Sequence, residues 1–350
     1  MNLIAAYAEG ISELTRYSKK AKEMPLFVDI IVNPYAGFFR KKQKLKEIIA
    51  ELEGKLAELR LRYPERKIEI KTVHFTQYPG QAREITLNIL NEEARRNSGM
   101  ERLLIGAGGD GTSNEICTGL IEADDYLLEN LHLLRFPLGT GNDVADAQTF
   151  DEAYELILSP HRELSIGAIE ISGPQIGPLY SFNIASLGID AYIAYLTNKF
   201  KRIIPGDSYL ALVDAGVLFY NYHAKPAAMK ISMQSHGKEI RKPEFIPSMV
   251  IFGTSGHRVY GKGKLILPGD ENVCIVDSMS LLRKMETKKL FYSGAHTTLP
   301  EVHFFHAESM QISYSGNIPM QLDGESYWLH RDHFPLILKL LPPRIKVLRA

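Results

Sequence analysis

From Leu26 onward the chain alternates two hydrophobic patterns. "LFVDIIVNP" (26–34) is an apolar run stopped by Asn33-Pro34, which predicts a buried strand entering a turn. Over 41–59, Leu45, Ile48, Ile49, Leu52, Leu56 and Leu59 recur every three or four positions, the period of an amphipathic helix. "KIEIKTVHFT" (67–76) is a second strand, and Pro79 opens a second helix with Ala82, Ile85 and Ile89 on one face. "RLLIGAG" (102–108) is a third strand, Ser113 to Ile121 a third helix, and "LHLLRFPLGT" (131–140) a fourth strand. Strict alternation of this kind predicts a parallel sheet with helices on its faces, binding ligands at the carboxyl ends of the strands.

Beyond about residue 160 the rhythm changes. "RELSIGAIEIS", "LYSFNIASLGI", "PAAMKISMQ", "PSMVIFGTS", "NVCIVDSM" and "IPMQLDGE" are short runs, often alternating and separated by Gly, Pro or Asn. They predict an antiparallel β domain, a sandwich or a barrel, interrupted by a helical insertion at about 189–222 and closed by a strand in "FPLILKLLPPRIKVLRA". The expected division is a helical extension over 1–23, ending in Lys19, Lys20 and Lys22, an α/β domain over 24–155 and a β-sandwich domain over 156–350.

Composition narrows the class. Hydrophobic residues make up 45% of the 350, enough to bury sizeable cores. Lys+Arg and Asp+Glu both number 41, so no overall basic bias points to nucleic acid. Cys117 and Cys274 cannot form a disulfide framework or a Cys-rich zinc site, and they fit a reducing compartment. The N-terminus lacks the pattern of a secretory signal and nowhere do 18 apolar residues run together, so the expectation is a soluble cytoplasmic protein. His303 and His306, three apart in a strand-like run, should face opposite ways, and His330 and His333 share that spacing. No histidine metal site is expected.

The chemistry concentrates in three strand-end loops: "NPYAG" (33–37), "GGDGT" (108–112) and "PLGTGND" (137–143). Glycine lets main-chain N–H groups approach a ligand closely, and the helix starts that follow favour negative charge. Gly106, Gly108 and Gly111 also spell G-x-G-x-x-G. A dinucleotide fingerprint, however, follows the first strand of its unit and has an acid ending the next strand, whereas "LHLLRFP" ends in none. Thr112 to Glu115 can alternatively be a capping box with Thr112 as cap. Three such loops together point to a polyphosphate site, and the absence of G-x-x-x-x-G-K-[ST] excludes a P-loop.

"GGDGT" followed by "NEICTGL", with "NPYAG" upstream and "PLGTGND" downstream, resembles the catalytic domain of the diacylglycerol kinase family. That superfamily also holds sphingosine, ceramide and NAD kinases. "SFNIASLGIDA", "YGKGKLILP" and "QLDGE" (321–325) extend the resemblance over about 26–345. It implies an ATP- and Mg2+-dependent lipid kinase that converts diacylglycerol to phosphatidate in a cleft between an α/β nucleotide-binding domain and an antiparallel β-sandwich domain. Asn33, Pro34, Gly37, Thr76, Gly108, Gly109, Gly111, Thr112, Glu115 and Thr140 match nucleotide-binding positions. Asp110 matches a position near the ATP-bound magnesium, Glu325 the base that takes the acceptor proton, and Asp323 its catalytic neighbour.

Other acceptors (a sphingoid base, ceramide or monoacylglycerol) stay open, as do NAD kinase activity and a non-catalytic nucleotide- or lipid-binding role. Relatives often carry D-G-x-L-D after the glycine-rich segment, where a structural magnesium sits. Here Pro268 is followed by "GDENVCIVDSM", which leaves Asp270, Glu271 or Asp277 as substitutes and a second metal site in doubt. Ile189, Ile193, Leu196 and Phe200 share a helical face that either packs on the sheet or walls an acyl chain. "RKKQKLK" (40–46) and "NKFKR" (198–202) are either solvated faces or contacts for anionic headgroups. The partners so implied are ATP and a lipid acceptor met by peripheral contact on the inner face of a membrane, with a homodimer left open.

Overall fold

The computed structural model describes residues 3–19, 26–63, 68–96, 99–139, 145–160, 162–200, 209–260 and 263–349, with backbone alone at 68–71, 209–210 and 260. Contacts between residues divide the chain into two units, Met1–Ile166 with Pro343–Ala350, and Gly167–Pro342. The sequence pattern predicts the border at 155/156 and the closing segment wholly in the second domain.

The first unit runs α1 (Leu3–Thr15), β1 (Leu26–Val32), α2 (Lys42–Arg62), β2 (Ile68–Phe75), α3 (Gln81–Arg96), β3 (Arg102–Ala107), α4 (Asp110–Ile121), α5 (Asp125–Leu128), β4 (Leu131–Arg135) and α6 (Phe150–Leu158). Its strands are parallel in the order β2-β1-β3-β4. Leu26, Val28, Ile30 and Val32, every second residue of β1, point into a core shared with α1, α2 and α6. On the opposite side α3 and α4 meet so closely that a Cβ on Gly119 would lie 2.9 Å from Thr86 Cβ. The connections from β1 and β3 therefore leave toward opposite faces, and strand order reverses between β1 and β3. That reversal opens a crevice at their carboxyl ends, where ligands bind in open α/β sheets.

The helical extension ahead of β1 proves to be part of this core. Tyr7, Ile11 and Leu14 of α1 are all 0% exposed, and Gly10 lets α1 lie against α2, since a Cβ there would come within 2.7 Å of Leu52 Cδ2. Burying each large side chain is worth about 1.5–3 kcal/mol, so α1 is a layer of the unit, not an appendage. Lys20 and Lys22 lie outside the described residues.

The second unit continues with β5 (Arg162–Gly173), whose first residues belong to the first unit, then β6 (Ile176–Ser181), β7 (Ile184–Gly188), α7 (Ile189–Phe200) and α8 (Tyr209–Ala224). Next come β8 (Met229–Ser235), β9 (Lys238–Phe245), β10 (Pro247–Gly253), β11 (Arg258–Tyr260), β12 (Lys264–Leu267), β13 (Val273–Asp277), α9 (Leu281–Thr287) and α10 (Leu290–Ser293). It closes with β14 (Val302–Phe305), β15 (Ser309–Tyr314), β16 (Ile318–Leu322), β17 (Glu325–Leu329) and β18 (Leu336–Arg349). One antiparallel sheet has the order β14-β13-β10-β7-β16-β17. A second is built from β9, β8, β15 and the start of β18, with β5 and β6 beyond. Ala185, Leu187, Val250 and Phe252 of the first sheet share a core with Ile231, Met233, Met310 and Ile312 of the second, which makes the expected sandwich. The alternate residues Ile184, Met249 and Ile251 face outward into a further cluster with Ile266 and Met279.

β18 divides between the units. Ser309–Ile312 pair with Leu336–Lys339 in the second, while Lys346 and Val347 add in parallel to His132 and Leu133 of β4 in the first.

Candidate active site

At the carboxyl end of β1, Asn33 accepts from Tyr35 N at 2.9 Å through Oδ1 and donates from Nδ2 to Thr112 Oγ1 at 2.8 Å. Phe38 N donates to Leu138 O at 3.1 Å, and a Cβ on Gly109 would stand only 3.2 Å from Gly139 Cα. The loops after β1, β3 and β4, read separately in the sequence, are thus pinned to one another at the crevice. Pro34 and Gly37 lie in the first of them. Gly108 folds the second loop onto its own helix, because a Cβ there would lie 2.5 Å from the Thr112 side chain.

The capping reading of Thr112 is corrected. α4 begins at Asp110, with Gly109 as N-cap and no side-chain cap. Thr112 therefore sits in the first turn, and its hydroxyl receives the bond from Asn33. Glu115 does not fold back either. Its carboxylate accepts from Gly80 N at 2.8 Å and Ala82 N at 3.1 Å, which holds the start of α3 against α4. Thr76 is buried, its N–H bonded to Val32 O at 2.9 Å.

A helix start without a side-chain cap leaves first-turn N–H groups for a ligand, and its dipole favours negative charge. With two glycine-bearing loops beside it, the donor set fits a polyphosphate. Asp110, the first residue of α4, adds a hard carboxylate oxygen there, which fits a magnesium ion bound together with phosphates.

A buried ion cluster unforeseen from the sequence braces the third loop. Arg135 ends β4 and donates to Asp146 from Nε at 3.1 Å, from a terminal nitrogen at 2.7 Å and from its backbone N at 2.8 Å, while Arg349 Nε lies 3.7 Å from the same carboxylate. Burial opposes the charge of Arg135, but Asp146 and Cys117 together outweigh it and raise the guanidinium pKa. Thr140, an expected nucleotide contact, lies outside the described residues, as do 141–144.

In the second unit, Asp323 (φ 50°) and Gly324 (φ 92°) form the two-residue turn between β16 and β17, the hairpin that Asp-Gly favours. Asp323 Oδ1 accepts from Ser181 Oγ at 2.7 Å, Asn183 N at 2.9 Å and Ile184 N at 3.1 Å, and Oδ2 accepts from Phe182 N at 2.6 Å. Both oxygens are engaged in holding the turn against the start of β7. Gly324 is gripped from both sides, its N–H by Gln321 Oε1 and its carbonyl by Asn198 Nδ2, each at 2.8 Å. From Gln321 a buried chain continues through Ser186 Oγ (3.0 Å) to Asp190 (2.9 Å), whose carboxylate lies 3.8 Å from Lys264 Nζ. Glu325, next in sequence, is exposed at the head of β17. Tyr327, two residues on, has its hydroxyl pKa raised by burial and by the charges of Glu325 and Asp323.

Lys264 also lines a pocket of about 620 Å³, counting the part open to solvent, with Ile189 and Ile193 of α7, Val213 and Val217 of α8, and Lys284. Half of the predicted α7 face thus borders a cavity, while Leu196 packs with Tyr192 and Tyr220. Two of the three substitutes for a second magnesium site, Asp277 and Asp270, are otherwise engaged. Asp277 lies 3.0 Å from Lys242 Nζ and 2.9 Å from His303 Nε2, and Asp270 lies 2.7 Å from His257 Nε2. His330 N donates to His333 Nδ1 at 2.8 Å.

Residues 28–168 match the diacylglycerol kinase catalytic domain, and residues 183–349 match the YegS C-terminal NAD kinase beta sandwich-like domain. The candidate lipid kinase YtlR of Bacillus subtilis is 25% identical over 84% of this chain and 92% of its own length. The candidate lipid kinase YegS of Salmonella arizonae is 39% identical over 34% of this chain, a match spanning 38% of that relative. A diacylglycerol kinase structure from Bacillus anthracis shares the fold, with a TM-score of 0.57 at 18% identity over 92% of this chain and 96% of that one.

Proposed function

The chain belongs to the lipid kinases that join a diacylglycerol kinase catalytic domain to a YegS-type C-terminal domain, and we propose that it transfers the γ-phosphate of ATP to the hydroxyl of diacylglycerol, giving phosphatidate and ADP. The observation that carries this reading is the mutual pinning of three glycine-bearing loops at the β1/β3 crevice, beside a helix start with no side-chain cap.

Phosphoryl transfer depends on positioning and charge neutralisation. The first-turn N–H groups of α4 with Gly108, Gly109, Gly111 and Thr112 cradle the triphosphate, and Asn33, Pro34 and Gly37 close it from the neighbouring loop. Thr76 and Thr140 contact the nucleotide, while Glu115 acts through the α3 start that it holds. Asp110 would hold the magnesium, which when bound neutralises charge across the phosphates. Glu325 takes the proton from the acceptor hydroxyl as its oxygen bonds to the γ-phosphorus and ADP leaves. Asp323, with both oxygens committed, positions Glu325 rather than accepting the proton.

No helix among the described residues is long and apolar enough to cross a membrane. Peripheral contact is supported by Leu218, Phe219 and Tyr222 on α8 and Leu281 and Leu282 on α9, large apolar side chains that are all exposed. Vesicle flotation tests it, and a protein unbound to vesicles rich in anionic lipid would refute it.

The deciding experiment presents labelled ATP and magnesium with diacylglycerol in mixed micelles, sphingosine, ceramide, monoacylglycerol and NAD. Label in phosphatidate confirms the reading. Label in another lipid keeps the mechanism and changes the acceptor, whereas label in NADP overturns the lipid assignment.

A further inference from the structure

His306 takes part in an arrangement that its spacing from His303 does not predict. His236, His306 and Glu308 converge at the surface of the second unit, with one candidate ligand atom from each within 4.8 Å of the others. His236 occupies the turn between β8 and β9. His306 and Glu308 lie on the connection from β14 to β15, which carries the chain from one sheet of the sandwich to the other.

The connection is held rigidly. Buried Asn272 accepts from Ala307 N and donates to Ala307 O, each at 2.9 Å. Glu308 N donates to Gln234 O, and Leu340 N to Glu308 O, each at 2.8 Å. Residues two apart on an extended chain point the same way, so a fixed Ala307 presents His306 and Glu308 on one side.

The third member is brought to them. His236 has φ 49° and Gly237 φ 73°, a turn in which asparagine, aspartate or glycine carries least cost at the first position. Glu308 Oε1 accepts from His236 N at 3.0 Å, and the His236 and His306 rings stack at 4.5 Å with 11° between their planes. His306 Nδ1, shielded from solvent, has no hydrogen-bond partner among the described residues.

We propose that His236, His306 and Glu308 form a binding site for a divalent transition metal, zinc being the ion best matched to it. Two imidazoles and one carboxylate suit zinc, which leaves a fourth position to water. Magnesium and calcium prefer all-oxygen sets. The bound ion clips the β8–β9 turn to the connection between the sheets. The site is independent of the lipid-kinase reading.

The test titrates chelator-treated full-length protein with zinc chloride by calorimetry and with cobalt(II) as an absorbing probe. One ion should bind per chain, with visible cobalt bands and a zinc-dependent rise in Tm. His306→Ala and Glu308→Ala should each weaken binding at least about tenfold, since loss even of an outer-shell partner costs that much. His236→Asn removes the imidazole while keeping a residue suited to the turn, and it should abolish the Tm rise without unfolding the protein. His330→Ala should change nothing. Absence of saturable binding at millimolar zinc, or binding that survives all three site substitutions unchanged, overturns the proposal.

Discussion

Asp323→Asn separates a positioning carboxylate from a catalytic one. Four donors meet the Asp323 carboxylate: three at Oδ1 and one, Phe182 N at 2.6 Å, at Oδ2. An asparagine can keep its oxygen toward the three donors only by turning its NH2 toward the Phe182 N–H. Flipped, it sets NH2 against three donors instead. The better choice still loses one charge-assisted bond and leaves a backbone N–H facing a donor, a cost of about 2–3 kcal/mol. At about 2–4 °C per kcal/mol for a unit of this size, Tm should fall by roughly 5–10 °C. Glu325 rides on the same hairpin, and displacement by about 1 Å lowers turnover on the order of 100-fold. Thermal unfolding and steady-state kinetics on the same preparation read both effects. A variant that loses turnover while its stability stays within about 0.5 kcal/mol of the parent would refute the positioning argument and make Asp323 a participant in proton transfer.

Three further outcomes follow from the geometry. Ile11→Ala, at a 0% exposed position of α1, should destabilise the first unit by about 2–5 kcal/mol in urea unfolding, and an unchanged midpoint would return α1 to the status of an appendage. Glu325→Gln should lower kcat by about 10²–10⁴ while leaving Tm and the KM for ATP in place; near-normal turnover would remove Glu325 as the base. His296 is fully buried, its Nε2 3.1 Å from Ile266 O and its ring stacked on Phe291, and burial above all holds its pKa below the ordinary value. Because the unfolded chain protonates first, its contribution is complete above about pH 6.5 and is lost as pH falls below that. The urea midpoint should therefore drop between pH 7.5 and pH 5.5, and His296→Gln should flatten that slope. An equal slope in both proteins would contradict it.

The sequence showed most plainly what depends on local period. The apolar run of Leu26–Val32 and the three- and four-residue spacing of Leu45, Ile48, Ile49, Leu52 and Leu56 are short-range patterns, and each became the element it predicts. The three glycine loops were legible for the same reason, as each carries its own turn chemistry. What stayed hidden depends on partners far along the chain. Thr112 satisfies a local capping pattern, yet Asn33 claims its hydroxyl and α4 starts earlier on glycine. Arg135, Asp146 and Arg349 look like ordinary charges until the fold buries them together. The apolar face of α1 was visible, but only packing could show that α2 and α6 cover it. His306 and Glu308 did leave a signal, two ligand types at strand spacing, but their third member sits 70 residues upstream at a turn.

The divided pairing of β18 has a consequence for biosynthesis. Val347, Leu348 and Arg349 complete the sheet, core and ion cluster of the first unit, yet they leave the ribosome after the whole of the second. The first unit must wait with one edge of β4 unpaired and Asp146 lacking Arg349 while the sandwich is made. Synthesis therefore delays completion of the first unit until the segment bearing Glu325 already exists.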